Sequence, residues 1–205
     1  MKNNKSAIYL ISPDKINNKI FYKNLEEIFH ANKISIFQLR LKNIDKSKII
    51  NIGKKINKIC KKHKVKFIVN DSPYIAKKLN ADGCHIGQKD INYYSARRIL
   101  GKKIIGVTCN NSIRLVRKAS LQGADYVAIG SFFKTKSKKI VHSAKFNLIH
   151  KVKKITDLPL VVIGGINSEN YKKLLLHKPN FLAISGHIWS NNNYNPMKAI
   201  KKIKI

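Results

Sequence analysis

Short runs rich in β-branched and apolar residues alternate with stretches of helical spacing along the whole chain. The β-rich runs fall at 7–12, 34–40, 66–71, 83–87, 103–109, 126–131, 159–165 and 181–186. A helical segment is predicted between each consecutive pair, beginning with one near 21–32, and a last one over about 196–204. The clearest follows the second run. There Ile49, Ile52, Ile56 and Ile59 recur at spacings of three and four, while Lys54, Lys55, Lys58 and Lys62 lie largely off that stripe. Regular alternation of strand and helix calls for a parallel sheet with helices packed outside it. Eight such units close into a (β/α)8 TIM barrel, and 205 residues lies at the short end of its size range. No composition shift or linker divides the chain, so a single domain over 1–205 is expected. An open doubly wound sheet is the alternative architecture.

Composition changes this picture little. Hydrophobic content is 43%, ordinary for a globular domain. The chain has no run of about 18 apolar residues, which is what a membrane span needs. Its first residues lack the apolar stretch and small-residue cleavage site of a signal peptide, so a cytoplasmic location is expected. The three cysteines, Cys60, Cys84 and Cys109, contain no CxxC pair and read as buried thiols. The formal net charge of +32 invites a nucleic-acid reading. However, only five of the 42 basic residues are arginine (Arg40, Arg97, Arg98, Arg114, Arg117). Readers of base edges favour arginine. The lysines are dispersed along the chain, which indicates compositional drift and a field that draws in anionic ligands.

In a TIM barrel the chemistry sits at the C-terminal ends of the strands. The predicted ends carry polar and glycine residues, whereas the strand interiors are Val, Ile, Leu, Ala and Phe. Gln38, Arg40 and Lys42 alternate on one strand face and would aim an amide, a guanidinium and an ammonium into the mouth, a set suited to a multiply charged phosphate. Asn70 and Asp71 close the third run, and Asp90 follows the fourth. Only ten residues are acidic, so two aspartates at adjacent strand ends suggest a seat for Mg2+ shared with phosphate oxygens. Helix capping, by Asp71 before Ser72-Pro73 and by Asp90 before Ile91, is the competing explanation. The longest loop, 132–144, holds Thr135, Ser137 and Lys138, which could close on a phosphate or simply form a solvated loop. Gly164 and Gly165 after the seventh run, with Ser185 and Gly186 after the eighth, fit a phosphate seat built from backbone N–H groups, or a plain tight turn. His85 lies within a strand and reads as a packed, hydrogen-bonded residue. His187 is placed where it could line the mouth.

At these residues the chain resembles the thiamine-phosphate synthase family over nearly its whole length. The matching stretches are Gln38-Leu39-Arg40-Leu41-Lys42, Asn70-Asp71, 81–90 (ADGCHIGQKD), Gly106-Val107-Thr108, 123–130 (GADYVAIG) and 159–167 (PLVVIGGIN). The resemblance implies a Mg2+-dependent transferase that joins an aminopyrimidine bearing a CH2-diphosphate to a phosphoethyl thiazole, or its carboxylated form, releasing pyrophosphate. Carried over by position, Gln38, Arg40, Lys42, Asn70, Thr108 and Lys138 would hold the pyrimidine diphosphate. Of these, Arg40, Lys42 and Lys138 would stabilise the leaving charge. Asp71 and Asp90 would bind Mg2+. Thr135, Ser137, Gly164, Gly165, Ile184 and Ser185 would hold the thiazole phosphate.

The implied partners are small phosphorylated substrates, with no specific nucleic acid and no membrane, and a homodimer as a compatible assembly. The chain departs from the family where Thr108 replaces a common Ser, Lys134 a common Pro and Ser137 a common Thr; the segment Gly186-His187-Ile188-Trp189 is only loosely similar. Two other functions remain open: a thiazole tautomerase of the same fold, which needs neither diphosphate nor metal, and a non-enzymatic basic protein that binds nucleic acid.

Overall fold

The computed structural model describes residues 6–16, 19–31, 34–134 and 144–205. In order, the chain forms β1 (Ala7–Ile11), α1 (Lys19–Ala31), β2 (Ile34–Leu39), α2 (Lys46–Lys62), β3 (Lys66–Asn70), α3 (Pro73–Lys78), β4 (Gly83–Ile86) and α4 (Tyr93–Leu100). It continues with β5 (Ile104–Asn110), α5 (Ile113–Gln122), β6 (Tyr126–Gly130), α6 (Asn147–Lys153), β7 (Leu160–Ile163), α7 (Tyr171–Leu175), β8 (Phe181–Ile184), α8 (Gly186–Trp189) and α9 (Pro196–Lys201). Each strand pairs in parallel with the next, and β1 pairs with β8, closing the sheet. That closure rules out the open doubly wound alternative.

The two faces of each strand go to different cores, because side chains alternate along a strand. Tyr9, Ile11, Ile36, Ile68, Tyr126, Ala128, Val161 and Ala183 fill the barrel interior. Their neighbours, among them Leu10, Phe37, Phe67, Cys84, Ile105, Val127, Val162 and Leu182, pack outward beneath the helices. With both faces buried, the strands read as continuous apolar runs rather than as an alternation of apolar and polar residues. On α2 the buried stripe is centred on Gly53, Ile56, Asn57 and Cys60, while Lys54, Lys55, Lys58 and Lys62 are exposed. Asn57 is tolerated there because its Nδ2 donates to the Leu79 carbonyl at 2.8 Å. All three cysteines are free and buried, and burial pushes the Cys109 thiol up to about 12, so none is poised as a nucleophile.

Three local expectations are corrected. Asp71 and Asp90 cap no helix: the Ser72 side chain accepts from Ile75 N at the start of α3, and Asn92 accepts from Ser95 N at the start of α4. Asp71 has a positive φ of 65°, which turns the chain out of β3 one residue before the cap, and β3 ends at Asn70. The segment after β8 folds directly into the short helix α8, and the final helix stops at Lys201. Replacing Asn92 with Ala is expected to cost about 1 kcal/mol, read as a fall in Tm of about 2–4 °C.

Candidate functional site

The C-terminal rim of the barrel is organised first by the loop after β1. Ser12 N donates to the Gln38 carbonyl, and Ser12 Oγ accepts from Arg40 N at 2.9 Å. On the other side, Ser185 Oγ donates to the Ser12 carbonyl at 3.1 Å, and Trp189 Nε1 donates to the Ile11 carbonyl at 2.7 Å. Residues 11–12 therefore tie the end of β2 to the end of β8. Two residues on, Asp14 receives Arg40 Nη1 at 2.7 Å and Lys42 Nζ at 2.9 Å, one on each carboxylate oxygen. β2 ends at Leu39, so strand alternation alone does not aim these cations; Asp14 gathers them. Such half-exposed pairs contribute little stability. What they supply is orientation, holding two long basic side chains together at the rim.

Gln38 departs from that pair. It is 3% exposed, and its Nε2 donates to the Tyr9 hydroxyl at 3.0 Å, inside the barrel. From there hydrogen bonds run across the interior. The hydroxyls of Tyr9 and Tyr126 lie 2.7 Å apart, Tyr126 reaches His85 Nδ1 at 2.9 Å, and His85 Nε2 reaches Thr108 Oγ1 at 2.7 Å. Burial raises the pKa of both tyrosines, keeping each hydroxyl protonated. His85 is thus a packed, hydrogen-bonded residue, its ring stacked on Tyr126. His187 meets Asn191, whose Nδ2 lies 3.3 Å from its Nδ1, and burial lowers its pKa.

Strands β3 and β4 are neighbours, and Asp71 N donates to the His85 carbonyl. Asn70, half-buried, faces inward at the end of β3, level with His85. Burial raises the pKa of the Cys84 thiol, and the negative charges of Asp71 and Asp90 add to it. Asp90 is folded back so that one of its oxygens accepts from Gly87 N at 2.7 Å. Asp90 also borders a crevice of about 120 Å³, lined by Gln88, Val107, Leu115 and Lys118 among others, on the side of α4 and α5.

Across the rim, Gly164 and Gly165 have φ of 110° and 62°. A Cβ on Gly164 would lie 1.9 Å from Ser131 Oγ, and one on Gly165 would lie 2.2 Å from the Lys134 carbonyl oxygen. These glycines are required by the close approach of the loop after β6, whose Phe133 N donates to the Gly164 carbonyl at 3.1 Å. The far end of that loop is anchored by Ala144 N donating to the Ser131 carbonyl and by Phe132 stacking on Phe146. Thr135, Ser137 and Lys138 lie outside the described residues. The Ile184 side chain is 1% exposed in the outer core, so only its main chain is available to a ligand. Gly186, at the first turn of α8, faces open space.

The structure thus joins Arg40 to Lys42 through Asp14 and Gln38 to Thr108 through the interior, and places Asp71 and Asp90 after the neighbouring strands β3 and β4. The sequence reading missed Asp14, Tyr9 and Tyr126. Asp14 could have been noticed as one of only ten acidic residues, just after a predicted strand. The tyrosines could have been noticed as polar-tipped aromatics on inward-facing strand positions.

A closed parallel barrel whose ionic and polar side chains gather at the C-terminal rim defines a (β/α)8-barrel enzyme. Residues 8–188 match the family model described as thiamine monophosphate synthase. A thiamine-phosphate synthase of Pelagibacter ubique (strain HTCC1062) is 57% identical over 203 residues, covering 99% of this chain and 98% of the relative. One from Erythrobacter litoralis (strain HTCC2594) is 38% identical, with 95% and 93% covered. The solved thiamine phosphate pyrophosphorylase of Pyrococcus furiosus superposes with a TM-score of 0.84 at 25% identity, covering 97% of this chain and 94% of that one. The chain belongs to the thiamine monophosphate synthase family and is a transferase.

Proposed function

We propose that this chain is a thiamine-phosphate synthase. It joins 4-amino-2-methyl-5-(diphosphooxymethyl)pyrimidine to 4-methyl-5-(2-phosphoethyl)thiazole, giving thiamine phosphate and pyrophosphate, or to the carboxylated thiazole, giving CO2 as well. The observation that carries this reading is the pairing of Arg40 and Lys42 on Asp14 after β2, with Asp71 after the adjacent β3 and Asp90 after β4. Cations and carboxylates on successive strand ends suit one diphosphate and a divalent metal.

The donor set fits Mg2+. Among the described residues no group of three or more His, Cys, Asp or Glu could hold a metal ion. Two hard carboxylates, with phosphate oxygens and water completing the shell, are the ligands that Mg2+ favours over an all-protein cage. Bound by Asp71 and Asp90, it would neutralise charge on the diphosphate.

The methylene C–O bond breaks with its electron pair leaving on the diphosphate. The pyrimidine amino group stabilises the resulting cation, and the thiazole nitrogen lone pair forms the new C–N bond. No proton moves in this step, so the chain needs no general base. Arg40 and Lys42, with Lys138, stabilise the leaving charge, and Gln38, Asn70 and Thr108 orient the pyrimidine diphosphate. The main chain at Gly164, Gly165 and Ile184, with Ser185, Thr135 and Ser137, holds the thiazole phosphate so that its nitrogen faces the methylene carbon.

Incubating the purified chain with both substrates and Mg2+ is expected to yield thiamine phosphate and pyrophosphate in equal amounts, with turnover lost on chelation. Arg40→Ala is expected to lower kcat/KM for the pyrimidine diphosphate by about a hundred-fold. Absence of product, or turnover indifferent to Mg2+, would remove the proposal.

A further inference from the structure

The buried hydrogen bonds from Gln38 to Thr108 have a direction. The Tyr9–Tyr126 hydroxyl pair can be donated from either side; in one state Gln38 Nε2 donates to Tyr9 and Tyr9 donates to Tyr126. The proton of Tyr126 then goes to His85 Nδ1, which must accept. A neutral imidazole consequently carries its proton on Nε2 and donates it to Thr108 Oγ1. The Thr108 hydroxyl, its oxygen now occupied, is left to donate outward. In the reverse state Tyr126 donates to Tyr9, whose oxygen can accept from Gln38 Nε2 as well, His85 holds its proton on Nδ1, and Thr108 spends its own proton on the ring. Reversing one link alone sets two protons, or two lone pairs, against each other in the interior, at about 1–3 kcal/mol. The chain therefore has two concerted states.

We infer that Tyr9, Tyr126 and His85 are positioning residues that hold Thr108 as a hydrogen-bond donor toward the pyrimidine diphosphate. This inference rests on the synthase reading above. Diphosphate oxygens only accept hydrogen bonds, so they select the state in which Thr108 donates. Packing fixes the rings that carry the chain. Tyr126 stacks on His85 with ring centroids 5.5 Å apart, and Tyr9 meets Tyr126 edge-on at 5.9 Å. The Tyr126 ring also fills the space above Gly106, where a Cβ would lie 1.9 Å from it. Both ends of the chain belong to the group assigned to one substrate, the pyrimidine diphosphate.

The test has a spectroscopic and a kinetic arm. In 15N spectra of the histidine-labelled full chain with inorganic pyrophosphate and Mg2+, His85 is expected as the neutral ring protonated on Nε2; a proton on Nδ1 overturns the inference. In steady-state kinetics Tyr126→Phe is expected to lower kcat/KM for the pyrimidine diphosphate by about ten-fold, with KM for the thiazole phosphate unchanged. Thr108→Ser should retain activity and Thr108→Val should lower it by about ten-fold. In the Thr108→Val background the further effect of Tyr126→Phe should shrink to less than about two-fold, because the hydroxyl it orients is gone. Losses that simply multiply would mean that Tyr126 only packs, and would overturn the inference. Tyr9→Phe, read in the same way, replaces Tyr126→Phe if that variant fails to fold. A wild-type chain that makes no thiamine phosphate would refute the synthase reading, while the His85 tautomer would still decide the direction of the chain.

Discussion

Asp71→Asn is expected to reduce thiamine phosphate formation by about a thousand-fold while leaving stability within about 0.5 kcal/mol of the parent. The substitution isolates charge from structure. Asp71 sits at a φ of 65°, a left-handed conformation that asparagine adopts at least as readily as aspartate, so the backbone is undisturbed. What changes is the carboxylate that would face the metal and the departing diphosphate. Asp90→Asn is expected to behave alike. Its amide oxygen can still accept from Gly87 N, the 2.7 Å bond that holds this loop, yet the site loses a negative charge. The measurements are turnover with both substrates, the Mg2+ concentration at half-maximal rate, and thermal unfolding. Full turnover by both variants would show that the two carboxylates do not hold the metal.

Gly164→Ala is expected to damage both the fold and the rim. The added methyl would meet not only the Ser131 hydroxyl but also Ser131 Cα at 2.6 Å, and backbone cannot rotate aside as a flexible side chain can. The φ of 110° adds strain for any residue with a Cβ. Overpacking of this kind costs about 3 kcal/mol, equivalent to a fall of about 10 °C in Tm for a chain of this length. Because the methyl pushes on the loop after β6, KM for the thiazole phosphate should rise as well. Gly186→Ala is the matched control: a Cβ there meets open space, and stability should change by less than about 0.5 kcal/mol. An unchanged Tm for Gly164→Ala would show that the loop packs elsewhere.

Much of this was legible in the chain itself. The eight apolar runs and the Ile49–Ile59 stripe follow from periodicities of two and about 3.6, which local sequence fixes, and eight βα units leave few topologies. Their ends could be located because polar and glycine residues break the apolar runs where the rim begins. The places of Arg40, Asp71, Asp90, Gly164 and Gly165 at strand ends followed from this. Side-chain direction beyond a strand end did not. The alternation that predicts a common face for Gln38, Arg40 and Lys42 stops at Leu39, after which loop geometry and Asp14 decide where the cations go. The competing explanation of Asp71 and Asp90 as helix caps failed for a related reason. A single positive φ shifts the start of α3 by one residue, and nothing in the residue types near Asp71 separates it from Ser72 as the cap.

Sequence alone determined the barrel and the residue types at its mouth, because these depend on neighbours a few positions apart. Only the tertiary structure decided that Gln38, Tyr9, Tyr126, His85 and Thr108 form one hydrogen-bonded chain. Those residues come from five strands. Their meeting depends on strand register and barrel closure, which set separations of up to 117 residues within one bonded pair, and no local pattern encodes such a distance.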